Sequence, residues 1–404
     1  MSGAEPAAKG PLQGIRVIEL GSLIAAPFAT RMLADFGADV IKVEPPGTGD
    51  QLRKWRRVHE GTSLWWYLQS RNKKSIALDL KSPDGQQIVR QLAASADVVV
   101  ENFRPGTLEK WGIGWDELSK VNPKLVLVRI SGFGQSGPYR DRPGFGAIGE
   151  AMGGLRYVTG SPDRPPARAG ISIGDSLASL HAVVGALMCV LRVKSGHGEG
   201  QIVDVSLVES VFNMMESLVP EYDFFGDIRE RSGGTLPGIT PSNTYRARDN
   251  SWVVVAGNGD AIFRRLMVAI GRPDLAQDAR LQSNDGRVAN ERMIDDAISA
   301  WVAERDAASA LAELDKAEVP ASPIYSARDI MSDPQLKARG MFLDGALPDG
   351  SVVKLPGIVP KLSDTPGRMA WVGPKLGQHT DEVLQAAGYS AADMAKLRAA
   401  GVIE

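Results

Sequence analysis

The stretch AGISIGDSLASLHA (169–182) places one carboxylate, Asp175, between a glycine and a serine at the start of a long apolar run. Two roles suit an aspartate there. It can cap a helix, because its oxygen accepts an orphan backbone N–H and its charge suits the positive end of the helix dipole. It can also attack an activated acyl group as a nucleophile. From Leu177 to Leu191 nearly every face is apolar, which reads as a buried helix rather than an amphipathic one.

Competing chemistries fail on their own spacing. GISIG (170–174) matches a G-x-S-x-G nucleophile elbow on Ser172, with His181, His197 and His379 downstream. An elbow must follow a strand, and the preceding SPDRPPARA carries Pro162, Pro165 and Pro166. GIRVIEL opens a strand–loop–helix unit and Glu44 stands where a ribose-binding acid would. The loop between them reads GSLIAA, with one glycine where a dinucleotide fingerprint needs three. In GGTLPGIT, from Gly233, Ile239 occupies the position of the phosphate-binding lysine of a P-loop. If the protein activates carboxylic acids, it is therefore expected to do so without ATP.

The four histidines are scattered, with no HExxH and no paired cysteines, so no metal site is expected. The single Cys189 falls inside the apolar run and reads as a small core residue of a reducing cytosol. Three basic patches could hold phosphates: QLRKWRRVHEG (51–61), SRNKKS (70–75) and ENFRPGTLEK (101–110). The last lies where the strand DVVVENF ends, at the ligand-facing edge of an open parallel sheet.

These residues need a scaffold, and the chain is long enough for two domains: 404 residues, 43% hydrophobic and 23% charged. A net charge of -2 offers no global field for nucleic acid or an anionic membrane. The N-terminus has no secretory or transit bias and no apolar run is expected to span a bilayer, so a cytoplasmic protein is expected. Strand patterns in GIRVIEL, DVIKVEPPG, SIALDL (75–80), DVVVENF (97–103) and KLVLVRISGFG (124–134) alternate with helical ones, including FATRMLADFGA, PDGQQIVRQLAASA (83–96) and WDELSKV (115–121). That alternation implies an α/β fold with a parallel sheet covered on both faces. The Gly-, Pro- and Ser-rich ERSGGTLPGITPSNTYR (230–246) suggests a boundary before a smaller α/β unit.

Several segments together resemble the class III CoA-transferases (the CaiB/BaiF family), which include formyl-CoA transferase, carnitine CoA-transferases and the related alpha-methylacyl-CoA racemases. They are GPLQGIRVIELGSLIAAPFATRMLADFGADVIKVEPPGTGD, NKKSIALDLK, VVENFRPGTLEKWGIGW, ISGFGQSGPYRDRPGF, GDSLAS and LGQHTDEVL. The similarity runs end to end. It implies a Rossmann-like large domain over 10–225, completed by 340–404, and a small domain over 226–339. It also implies an interlocked, ring-like homodimer. By the resemblance Asp175 is the nucleophile, and a CoA thioester is a substrate rather than a resident cofactor. Ile24 and Ala25 then lie beside the CoA moiety. Leu78, Asp79 and Lys81, Asn102, Phe103 and Arg104, Lys110, and Gly144 to Gly146 with Phe145 match segments lining the CoA groove.

Some positions depart from the pattern. Pro45 replaces an arginine often found after the second strand, leaving Arg71 or Arg104 to supply a phosphate cation. Ile24 stands where formyl-CoA transferases have glutamine, and the small-domain glycine run is thinned to Gly233 and Gly234. The histidine of a racemase is absent near Phe145 and Gly146. The chain is most similar to the succinyl-CoA-dependent branch, whose acceptors are dicarboxylates. Arg168 and the loop 233–246 are candidates to read the distal carboxylate. Alternatives are an oxalate or carnitine type of transferase, or a non-catalytic acyl-CoA binder.

Overall fold

The computed structural model describes residues 10–404. The described residues form two compact units, one of 10–155, 169–216 and 338–404, the other of 156–168 and 217–337.

The first unit is built on six strands: β1 (Arg16–Glu19), β2 (Asp39–Glu44), β3 (Lys73–Ala77), β4 (Val98–Glu101), β5 (Val126–Ser131) and β6 (Ile202–Ser206). All pairings are parallel and the spatial order is β3-β2-β1-β4-β5-β6. This is the doubly wound order, in which the strand sequence reverses direction between β1 and β4. The strands are short runs of Val and Ile buried on both faces, as a parallel sheet demands. Along β4, Val98 and Val100 point to one face and Val99 to the other. Each such side chain contributes about 1.5–3 kcal/mol on full burial.

Helices cover both faces. Against one pack α1 (Ala25–Asp35) and later α6; against the other pack α2 (Pro83–Ala93) and, past the short α3 (Thr107–Lys110), α4 (Trp115–Val121). Between β5 and β6 run α5 (Gly146–Met152) and the 22-residue α6 (Ile173–Lys194); α7 (Leu207–Phe212) follows β6.

Helix α6 corrects two expectations. It is not buried all round: Ala178, Ala182, Val183, Ala186, Cys189 and Val190 face the sheet, while Leu180, Val184, Leu187, Met188 and Leu191 form an exposed apolar stripe. Its length and mean hydropathy, 1.8 over eighteen residues, also meet the requirement for crossing a bilayer, which the sequence reading denied to every run. A helix apolar on all sides but packed on only one gives both results.

The second unit holds a small antiparallel sheet and its own core. Helix α8 (Leu218–Phe225) is followed by β7 (Ser242–Arg246) and β8 (Trp252–Ala256), then α9 (Asp260–Ala269), α10 (Glu291–Ala303), α11 (Ala307–Lys316) and β9 (Ala321–Pro323). Strand β8 lies between β9 and β7, and Phe263, Leu266, Ile294, Ile298 and Leu314 are fully enclosed beside it. The division differs from the expected one. Residues 156–168 cluster here rather than with the large domain, because Tyr157 donates to Glu230 and Arg231 donates to the Tyr157 carbonyl. The boundary also comes earlier, at Ser217.

The tail returns to the first unit. It forms a hairpin, β10 (Phe342–Ala346) with β11 (Val352–Pro356), then α12 (Thr380–Ala386) and α13 (Ala391–Ala399). Thr380 Oγ1 accepts the Ala77 N–H, His379 Nδ1 accepts that of Ser75, and Ile403 bridges Leu78.

Candidate active site

The site is built on the loop that leaves β1. Strand order reverses between β1 and β4, so their C-terminal ends open a crevice, the usual ligand position in such sheets. Asn102, just past β4, holds the first loop across it: its Oδ1 accepts the Ser22 N–H at 2.8 Å and its Nδ2 donates to the Ser22 carbonyl at 2.9 Å. Gly21 permits this approach, because a Cβ there would lie 2.6 Å from Asn102 Oδ1. Leu23 adopts a left-handed backbone, φ +66°, which is uncommon for a bulky residue.

That strain is supported from below. The Leu23 N–H donates to both carboxylate oxygens of Asp50, at 3.1 and 3.2 Å. Lys42 pairs with Asp50 at 2.8 Å and with Glu19 at 2.7 Å, and donates to the Gly21 carbonyl. Glu19 also takes Lys73 at 2.8 Å and the Thr30 hydroxyl. All four charged residues are buried. Burial pushes the Glu19 carboxyl up, but Lys42 and Lys73 outweigh it and leave the group below its ordinary value. Burial draws the Lys73 ammonium down to about 8, Glu19 opposing and the Lys42 charge adding. Sequence reasoning missed this cluster. Its signal was a glutamate and two lysines inside strands, where buried charges persist only when paired.

The basic patches divide between structure and surface. Arg53 is buried and forked onto Glu44, with Ser75 donating to the same carboxylate, which removes Glu44 as a ligand-binding acid. Arg71 is likewise consumed: it grips Asp35 at 2.8 and 2.6 Å and donates to the Pro356 carbonyl. A buried, fully paired guanidinium cannot serve a phosphate, which corrects the assignment of Arg71. Arg104, Lys110 and Lys81 are exposed. The turn carrying Arg104 is braced by Glu101, which accepts the Phe103 N–H and the Arg129 guanidinium, while Arg129 also grips Glu109 in α3. Phe103 packs edge-on against Trp111. Leu78 is buried in the core and its N–H donates to the Glu44 carbonyl, whereas Asp79 caps its own turn by accepting the Lys81 N–H. Ile24 and Ala25 are buried at the start of α1, and Gln69 donates to the Ile24 carbonyl.

Asp175 is half-buried and is the third residue of α6; Ser172 is the cap. It therefore sits in the first turn without being the N-cap, a position where the helix dipole still favours negative charge. Ser179, one turn on, ties Asp175 to the start of α1: its hydroxyl lies 2.7 Å from both the Ala25 and the Asp175 carbonyl oxygens. Gly146, at the start of α5, lies against the Asp175 carboxylate. Gly144 lies against Gly132, and Phe145 is 70% exposed. Thus Asn102 holds Ser22 in the loop that leads to Ile24 and Ala25, and Ser179 joins the Ala25 carbonyl to that of Asp175. Arg168 and 233–246 belong to the second unit. Among the described residues, no group of three metal-capable side chains gathers.

The model of CoA-transferase family III matches residues 12–380. The chain belongs to CoA-transferase family III. It is 50% identical over 395 residues to the succinyl-CoA–D-citramalate CoA-transferase of Chloroflexus aurantiacus, covering 97% of this chain and 98% of that one. It is 37% identical to the succinate–glutarate CoA-transferase of Agrobacterium fabrum, over 94% and 96% of the two chains. A CaiB/BaiF family protein of Brucella suis has the same fold, with a TM-score of 0.82 and 34% identity over 94% of this chain and 100% of that one. As a family III transferase the protein is an enzyme that uses CoA thioesters as substrates.

Proposed function

We propose that this transferase exchanges CoA between succinyl-CoA and a small dicarboxylic acid, with Asp175 as the covalent carrier. The observation that carries the reading is the position of Asp175 in the first turn of a 22-residue helix, tied through Ser179 to the start of α1, which follows the loop at the strand-order reversal. The donor assignment draws on relatives whose names carry succinyl-CoA with citramalate or malate.

The Asp175 carboxylate attacks the thioester carbonyl. The C–S bond breaks, CoA leaves as thiolate, and an acyl-aspartyl anhydride forms. The thiolate attacks the aspartyl carbonyl, releases the donor acid and leaves an aspartyl-CoA thioester. The acceptor carboxylate attacks that thioester, giving a second anhydride and thiolate, and the thiolate takes the acceptor acyl group and frees Asp175. Each step exchanges one activated acyl bond for another, so no nucleotide is consumed. Backbone N–H groups of the α6 first turn face developing negative charge. Ile24, Ala25, Asn102 and Phe103 line the CoA path in this reading, with Arg104, Lys110 and Lys81 as its exposed cations. The apolar stripe of α6 is buried against a second copy in an interlocked homodimer, and the protein works in the cytoplasm.

The test is to mix the protein with succinyl-CoA, quench with hydroxylamine, and examine the peptide containing Asp175 by mass spectrometry. A hydroxamate at Asp175, with labelled free succinate entering succinyl-CoA, supports the reading. An unmodified peptide with no exchange sinks it and points to a different acyl donor.

A further inference from the structure

We infer that Gly146 is a positioning residue for the reaction: its bare Cα is the surface against which the Asp175 carboxylate is held. This rests on the reading of Asp175 as the acyl carrier. A Cβ on Gly146 would lie 2.7 Å from Asp175 Cγ, nearer still to Oδ2, and 3.2 Å from the Asp175 nitrogen. No side chain other than hydrogen fits between them.

The surrounding backbone cannot yield. Two residues before Gly146, Gly144 sits so close to Gly132 that a Cβ would meet its Cα at 2.9 Å. One turn along α5, a Cβ on Gly149 would meet the Leu207 carbonyl oxygen at 2.9 Å. Across the contact, a Cβ on Gly174 would meet the Gly146 carbonyl oxygen at 2.8 Å. Segment 144–149 is therefore pinned from three directions, and a methyl group at 146 displaces the carboxylate rather than the helix. Gly146 is not among the residues with positive φ, so its backbone conformation suits alanine. At the first position of a helix, alanine stabilises relative to glycine when nothing obstructs it.

A role in packing alone and a role in positioning the carboxylate are separated by kcat and by the double variant. For Gly146→Ala, positioning predicts that kcat for exchange of labelled succinate into succinyl-CoA falls about 100-fold, the scale of a displacement near 1 Å, with KM for succinyl-CoA within about threefold. It also predicts a lowered melting temperature that Asp175→Ala restores in the double variant, because removing the carboxylate removes the clash. Gly146→Ala with wild-type kcat, or with a melting loss unchanged in the double variant, overturns the inference. Should Gly146→Ala alone fail to fold, folding of the double variant supports it and failure of both overturns it. Full exchange by Asp175→Ala alone overturns the nucleophile reading itself, an outcome distinct from either.

Discussion

Asn102 holds Ser22 by both of its amide atoms, at 2.8 and 2.9 Å, and so joins the end of β4 to the loop after β1 where the strand order reverses. Two hydrogen bonds at about 1 kcal/mol each fix the crevice. Asn102→Ala is expected to raise KM for the acyl-CoA about tenfold while changing kcat less, because Asp175 is positioned from α5 and α6. Steady-state kinetics check the split.

Arg71 and Arg104 are expected to separate cleanly. Arg71→Met leaves Asp35 buried without its guanidinium, and breaking such a pair costs about 3–5 kcal/mol of stability. Arg104→Ala removes an exposed cation, with stability unchanged within about 0.5 kcal/mol. The kinetic penalty should fall instead on acyl-CoA affinity. Thermal unfolding and KM, measured on both variants, test the assignment.

The charged cluster beneath the first loop gives a pH dependence of known sign. The folded Glu19 carboxyl lies below its ordinary 4.5. A lowered carboxylate contributes stability that is present above about pH 4.5 and lost as pH falls through its folded value. Glu19→Gln is expected to melt lower than wild type at pH 7, by about 3 kcal/mol in stability, and the gap should narrow below pH 4.5. A gap that stays constant from pH 7 to about pH 3 would show that the fold does not lower this carboxyl.

The exposed stripe of α6 tests the proposed dimer. Leu191 is 68% exposed and Met188 65%. Against a second copy, a charge at either position is left buried and unpaired, so Leu191→Asp is expected to yield monomer by light scattering at micromolar concentration. A wild-type protein already monomeric there contradicts the proposal.

Much of this was legible in the residues themselves. Alternating runs such as RVIE and VVVE can satisfy their backbones and bury their Val and Ile only as parallel strands under helices, and the short motifs around Asp175 and Asn102 named the family. The period of a sequence reports local geometry. Partner choice is different, because charge type does not reveal which charge it will meet across the fold. Arg71 reads as a phosphate ligand until Asp35 and the Pro356 carbonyl, 285 residues away in the chain, surround it. Nothing in the sequence marks Asp50 as the acceptor of the Leu23 N–H. The apolar run of α6 shows that a helix forms but not which side of it the sheet covers. Above all, the contact of Gly146 with Asp175 joins residues 29 positions apart through two backbones pressed together. Only the tertiary structure decides which glycine stands where a nucleophile has no room for a neighbour.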